Sequence, residues 1–449
     1  MLRRFAISVL VILVGVCAWG RTRPHYGGTL RVETEGDPWR VHDGAARPLV
    51  LDGLTALNAN GAVAPALALE WHSEDNDHRW QFHLRPGVHF HDGSPLTSTA
   101  VVMSLNLSCT GNCPWTAVRA VGSSVFFVGD SPMPNLPAIL AGDEFRIALT
   151  RTADGQTPQN LVGTGPLQFV SSANGVLTLG ANENCWQGRP FLDQIAITSN
   201  RTIRDQWLDL SVGRADLVEV PAEQIRQAQQ QRLTVVVSPP VELLVLQATD
   251  SGALTNAMLR AAIAQAVERG ALFNVIFQKQ GEITASLLPQ SYTGYAFLFP
   301  VDRDLNKANE LRGGLAAPPL VLSADGDGGM QLAAQRIALN LHEAGFNVQV
   351  ANIRNMPRAD LVLRRLPIEG ANPADALAIL LHRAGENVPV AGTGPKALYR
   401  VEHDFLELHT IIPLLDLPRA YAAGGRVRDL HLGADGRPDL AGVSVEDTQ

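Results

Sequence analysis

Residues 75–97 read Asp75-Asn-Asp-His-Arg-Trp80-Gln-Phe-His-Leu-Arg-Pro-Gly87-Val-His-Phe90-His-Asp92-Gly93-Ser-Pro-Leu-Thr97. From Arg79 to Arg85 polar and apolar side chains alternate strictly, which is the period of a half-buried strand. Pro86-Gly87 interrupts the run, Val88 to His91 alternates again, and Asp92-Gly93 supplies turn chemistry, so the stretch is expected to form a hairpin. Ser94-Pro95 and Thr97 then open a helix around Val101 to Leu107. Trp80, Phe82 and Phe90 are expected in a core. Gly87 and Gly93 sit where turns call for positive φ, and Asp92 is expected to bond the turn backbone.

Working outward, Gly27-Gly28-Thr29-Leu30-Arg31-Val32-Glu33 reads as a strand, followed by a helical or mixed stretch from Leu49 through Leu69. Leu167 to Val170 and Val176 to Leu179 read as strands. Leu259 to Phe277 reads as one long Ala-rich amphipathic helix. Pro318-Pro319 starts a strand through Leu322, Met330 to Ala344 is a helix ended by Gly345, and Phe346 to Val350 is another strand. This alternation predicts an α/β fold with a partly parallel sheet. Ser238-Pro239-Pro240 and the segment Ile412 to Asp416 are the two expected crossings between two lobes, the number a hinged clamshell needs.

The chain has 449 residues, too many for one hydrophobic core, so two or three domains are expected. A formal charge of −8 with no run of Lys or Arg argues against nucleic-acid binding, which needs a clustered basic face. Arg3 and Arg4 precede an apolar run from Phe5 to Ala18, and Ala18-x-Gly20 is a small-x-small site. Together they read as a secretory signal peptide, and the run is shorter than the roughly 20 residues of a bilayer span. Cys17 leaves a second reading open, a lipid anchor, although Val16 stands where that processing prefers a small residue. The expected product is exported, soluble and periplasmic. Cys109 and Cys113 flank a Thr-Gly-Asn turn, where an oxidising compartment allows either a local disulfide or two thiols. Cys185 is read as a buried apolar filler.

The residues offer no reaction chemistry. His89 and His91 share one face of a strand without further ligands. His403, Glu407, His409 and His342-Glu343 do not make His-Glu-x-x-His. No Gly-x-Ser-x-Gly elbow occurs, and Gly163-Thr-Gly-Pro and Gly392-Thr-Gly-Pro lack the Lys-Ser/Thr of a phosphate cradle. No catalytic residue, cofactor or metal is expected.

The stretch Asp75 to Thr97 resembles the signature of the family 5 extracellular solute-binding proteins, which serve peptide, dipeptide and nickel importers. Tyr26-Gly27-Gly28-Thr29-Leu30 resembles the family's mature start, Gly163-Thr164-Gly165-Pro166 its Gly-Thr-Gly-Pro turn, and Asn182-Glu-Asn-Cys-Trp186-Gln-Gly188 its Asn-x-x-Tyr-Trp-x-Gly. Leu259-Arg260-Ala-Ala-Ile263 resembles the helix opening the second lobe, and Ile412-Pro413-Leu414 the closing strand. The resemblance implies a two-lobed type II periplasmic binding protein clamshell with an extra small subdomain in the first lobe. Residues 1–20 are then the signal peptide, 21–48, 160–240 and 415–449 lobe I, 49–159 its accessory subdomain, and 241–414 lobe II. It further implies a monomeric ABC importer component that hands its ligand, a peptide or similar small molecule, to ABC permease subunits. A sensor using the same fold without a transporter, and an exported hydrolase, stand as alternatives.

The ligand is read from the departures. Leu363-Arg364-Arg365-Leu366-Pro367-Ile368-Glu369-Gly370-Ala371-Asn372-Pro373 stands where the family carries an aromatic and an acidic Asp-Pro loop. Glu369 is one candidate for the carboxylate that meets a ligand amine, whereas Arg364 and Arg365 suit an anionic ligand group or a plain surface. Glu35 and Trp39 are further candidates for the cleft. One outcome follows directly from the leader: mass spectrometry of the exported protein is expected to find Arg21 at the N-terminus, and a lipid on Cys17 would overturn the soluble assignment.

Overall fold

Two long strands, Thr234–Ala248 and Ile411–Ala423, pair antiparallel and form the middle of an eleven-stranded sheet. The computed structural model describes residues 26–446 apart from 40–43, 59–60, 110–112, 151–160, 250–251, 316–317, 326–327, 353–358, 371, 385–389, 391 and 393. The signal peptide, Cys17 and the Ala18-x-Gly20 site lie outside the described residues. On one side of the long pair, Leu217–Val220 joins Ile411–Ala423, and Thr29–Glu33 lies parallel to both Leu217–Val220 and Gln194–Thr198. On the other side, Leu361–Pro367 joins Thr234–Ala248, and Leu320–Ala324 lies parallel to both Leu361–Pro367 and Val348–Asn352. The sheet thus has two parallel α/β portions joined by an antiparallel pair, and helices cover its faces as parallel strands require.

Residues 68–128 hold a separate four-stranded antiparallel sheet, ordered Ala68–Glu74, Arg79–Leu84, Ser124–Val128 and Ala117–Val121. Trp80, Phe82 and Phe90 are buried in its core with Phe127. Arg79–Leu84 is a strand, but its partners are Ala68–Glu74 and Ser124–Val128, so the expected hairpin with Val88–His91 does not form. Val88 to Leu96 instead closes on itself, with Leu96 N–H donating to the Val88 carbonyl and Phe90 N–H to Ser94. Gly87 and Gly93 take φ of +74° and +83°, and the Asp92 carboxylate accepts from Ser94 N–H at 3.0 Å. The helix Ser98–Ser108 is capped by Thr97, whose hydroxyl accepts from Ala100 N–H. The stretch from Leu49 to Leu69 is mixed, with one short helical turn and short strands.

The long helix expected over Leu259–Phe277 is broken. Ala257–Ala266 is helical, Val267 and Glu268 are extended, and the chain resumes coiling at Arg269. The carbonyl freed at Ala266 accepts from Arg303 Nε at 2.8 Å. The break also turns Arg269 inward, where its Nε donates to the Pro413 carbonyl at 2.9 Å. Gly328–Glu343 is a helix, Gly345 takes positive φ, and Val348–Asn352 follows as a strand. Among the described residues no helix is long and apolar enough to cross a membrane.

The resemblance-bearing motifs meet in one scaffold knot around Asp52, which is 7% exposed. Its Oδ2 accepts from the Thr164 hydroxyl at 2.8 Å and from the Trp186 indole N–H at 2.9 Å. Gly163 and Gly165 lie so close to residues 49–50 that a Cβ would come 1.8 Å from the Val50 carbonyl and 2.5 Å from that of Leu49. His91 Nε2–H donates to the Gly165 carbonyl and its Nδ1 accepts from Gly163 N–H, which fixes a neutral imidazole. Burial, opposed by the Gly165 bond, lowers its pKa. Asp52→Ala would take the acceptor from the buried Thr164 hydroxyl and the half-buried Trp186 indole N–H, and urea denaturation is expected to show a loss of about 2–4 kcal/mol, with less for Asp52→Asn. A loss within about 0.5 kcal/mol, the range of ordinary surface changes, would show that the knot is not structural.

Candidate functional site

The register break in the long pair determines where a site can form. Thr234–Val237 pairs with residues 420–423, and Glu242–Gln247 pairs with residues 411–417, with bulges between Val237 and Glu242. Pro240 lies opposite Pro418, a place where neither strand offers an N–H. On the second strand the register shift falls at Leu417–Arg419, just beyond Ile412–Asp416. Ser238 Oγ accepts from Arg419 N–H at 2.9 Å, and Arg419 Nε donates to Glu242 at 2.8 Å.

Beside this register shift lies a cavity of about 780 Å³, within the range of small-molecule sites. Its walls come from three separated parts of the chain. Leu57, Pro114, Ile139 and Phe145 contribute one side, Tyr292, Ile368 and Ile379 the facing side, and Ala434 to Arg437 a third. A smaller hollow of about 400 Å³ beside Trp207 is lined, among the described residues, by side chains from the 202–227 segment.

Charge is distributed unevenly around the cavity. Asp143 accepts from Arg146 at 2.6 Å and is also paired with Arg437, which reaches Asp435 as well. Burial alone would raise the Asp143 pKa, but the Arg146 and Arg437 guanidiniums hold it well below the usual carboxylate range. On the facing wall Glu369 pairs with Arg383 at 2.8 Å. Asp375 differs: it accepts from the Asn372 side-chain amide at 2.8 Å and is bonded to the Asn135 side chain. Burial pushes its pKa up to about 7, with the two asparagines opposing the rise. Burial and then the Asp435 charge raise the Tyr292 hydroxyl.

Local sequence explains the position of Asp375. Asn372 Oδ1 accepts from the N–H groups of Ala374 and Asp375, capping the helix Pro373–Arg383 that proline begins. This places Asp375 in the first turn, and Asn372 Nδ2 also donates to Asn135 Oδ1 at 3.3 Å from the opposite wall.

The structure brings one of the five expected ligand residues, Glu369, into this cavity, and Cys113 lines it too. Cys113 is bonded to Cys109, with their Cα atoms 5.9 Å apart. Cys185 is free and buried. Arg364 and Arg365 are adjacent on the strand Leu361–Pro367 and so point to opposite faces. Arg364 Nη1 donates to Gln247 at 3.1 Å, and Arg365 Nη2 pairs with the buried Glu223 at 3.0 Å. Glu35 N–H donates to Glu219, and Trp39 packs against the core around Leu30 and Ile195. Sequence reasoning missed Asp375, Tyr292, Asp143 and Asp435. Asn372-Pro373-Ala-Asp375 carried a helix-start signal, but nothing in it announced a cavity.

Comparison with known proteins agrees with this architecture. The model of bacterial extracellular solute-binding proteins, family 5 Middle, matches residues 62–366, more than half of the chain. The probable di/tripeptide-binding protein 5 of Pseudomonas aeruginosa (strain UCBPP-PA14) is 25% identical over 398 residues, covering 76% of this chain and 75% of that one. The structure of AgaA from A. tumefaciens R10 in complex with agropinic acid superposes with a TM-score of 0.80 at 19% identity, covering 94% of this chain and 99% of the other. DppA from Helicobacter pylori, in complex with peptide STSA, gives 0.79 at 18% identity with the same coverage of 94% and 99%. These two share the fold, and the chain belongs to the family 5 bacterial extracellular solute-binding proteins.

Proposed function

We propose that this protein is the binding component of an ABC importer. It captures a peptide or similar small solute in the periplasm, closes on it and presents the closed form to membrane permease subunits. The observation that carries this reading is the cavity, whose walls come from segments on both sides of the paired long strands. In this reading residues 241–414 form one lobe, 21–48, 160–240 and 415–449 the other, and 49–159 its accessory subdomain. Two contacts are consistent with a closed state: Arg365 with Glu223, and Asn372 with Asn135. The related proteins named above are a probable di/tripeptide binder, a peptide complex and an agropinic acid complex, which supports a small solute. Asp143, Asp435 and Glu369 are held in ion pairs and Asp375 accepts a hydrogen bond from a side-chain amide, an arrangement suited to binding without turnover.

Closure is testable with a ligand found by thermal-shift screening of short peptides and small organic acids. At a concentration 100 times its Kd, a true ligand is expected to add about 2.7 kcal/mol of stability and to lower the radius of gyration measured by small-angle scattering. A radius that stays constant at verified saturation would sink the clamshell mechanism. A lower radius without any gain in melting temperature would count against specific capture.

A further inference from the structure

We infer that Arg437 is a positioning residue for solute capture. It fastens the turn Gly433–Arg437 to the accessory wall, so that the first and third walls of the cavity move as one body against the facing wall. The inference rests on the reading of the register shift as a hinge, proposed above.

A guanidinium in the lining of a binding cavity invites reading as a receptor for an anion. Here Nη1 of Arg437 is engaged by Asp143 and Nε by Asp435, with the side chain 15% exposed. Asp143 belongs to the accessory wall, 294 residues earlier in the chain, and is fixed from behind. Its carboxylate also accepts from Arg146, Arg146 Nη1 donates to the Leu51 carbonyl at 2.9 Å, and Arg47 Nη2 donates to the Asp143 carbonyl at 3.2 Å. The same wall meets the turn again at Gly61, where a Cβ would lie 3.9 Å from that of Ala434.

The other face of the turn is seated on the long strands. Gly436 takes φ of +73°, and a Cβ there would come 2.6 Å from the Val241 side chain, 3.1 Å from Ser238 Oγ and 3.3 Å from the Arg419 side chain. These residues belong to the register shift. Within the turn, Gly433 N–H donates to the Arg437 carbonyl at 2.8 Å and Gly436 N–H to the Gly433 carbonyl at 3.0 Å, which holds it in one shape. One short turn thus meets the accessory wall through an ion pair whose carboxylate is buried, and meets the hinge through a glycine pressed too close for any side chain.

The contacts across the remaining gap are weaker. Asn372 Nδ2 donates to Asn135 Oδ1 at 3.3 Å between the facing and accessory walls. That bond is neutral, and a charge-assisted one is roughly twice as strong. Asp435 acts on Tyr292 of the facing wall through its charge. The joint that opens is therefore the one between the facing wall and the other two, and Arg437 keeps those two together.

Hydrogen exchange on the ligand-free protein tests the strut. The reporters are the N–H groups of Ala141 and Gly142 in the accessory wall, which donate to the Ala138 and Ile139 carbonyls, and that of Arg419 on the long strand, which donates to Ser238 Oγ. Arg437→Gln is expected to speed exchange at all three about 10- to 100-fold. Gly436→Ala places its methyl group against the strands and away from Asp143, yet is expected to speed Ala141 and Gly142 as well, because coupling between two sites is reciprocal. Arg437→Lys, which keeps the charge, is expected to recover part of the protection. Asn135→Ala, which acts across the gap, is expected to leave Arg419 at its parent rate. Acceleration confined to the side of the turn that each substitution touches is what a merely local role gives, and it would overturn the inference. If the variants do not fold, the parent protein decides alone. With rising urea its three reporters are expected to converge on one opening reaction, and separate openings would overturn the strut. No solute is present in these measurements, so their failure leaves the importer reading to be judged by the scattering experiment above.

Discussion

Pairing between Thr234–Ala248 and Ile411–Ala423 is the interaction on which the rest of the molecule depends. These strands bring together parts of the chain that are far apart in sequence, and every other strand of the large sheet is added to one end of the pair or the other. Regular antiparallel hydrogen bonding would make the whole length stiff. Proline removes donors from both strands where Pro240 faces Pro418, and bulges shift the register there. What remains at that point is a small set of pinned contacts, Ser238 with Arg419 and Arg419 with Glu242. The pair is strongest at its two ends and weakest in its middle, which is the distribution a hinge needs.

The cavity follows from that distribution. Its walls could not be contributed by one compact core, because burying so many carboxylates together would be prohibitive without compensating charge. The first wall solves this with Arg146 and Arg437 around Asp143. The facing wall is held from behind by Glu402. This buried carboxylate accepts from the Ser286 hydroxyl at 2.6 Å, the Tyr295 hydroxyl at 2.8 Å and Leu287 N–H. Those bonds tie the helix Pro395–Leu406 to the segment that carries Tyr292. Rigid walls that carry an unbalanced charge suit recognition of one kind of partner better than general stickiness.

The signature motifs play a different part. Asp52, His91, Thr164, Asn182 and Trp186 interlock by hydrogen bonds, and none of the five lines the cavity. They hold the first half together, so their resemblance to a family identifies a scaffold and says little about the solute. The cavity wall is made by residues such as Asp375, whose neighbours in sequence carry only ordinary helix-start chemistry.

Local sequence by itself determined the strand at Arg79–Leu84, the Thr97 cap, the positive-φ glycines at 87 and 93, the parallel unit over residues 320–352 and the α/β class. Each depends on periodicity or on backbone preferences that act within a few residues. Tertiary structure alone decided three other things. It chose Ala68–Glu74 and Ser124–Val128 as partners for Arg79–Leu84, because pairing depends on which distant strands complete the core. It broke the helix at Val267, where Arg269 and Arg303 find carbonyl partners contributed by other segments. It also used Arg365 to bind Glu223, turned Arg364 to the opposite face, and left Asp375 in the cavity wall. The reason is the same in each case: the free energy of a buried charge or an unpaired strand edge is set by groups that only the folded chain brings within reach.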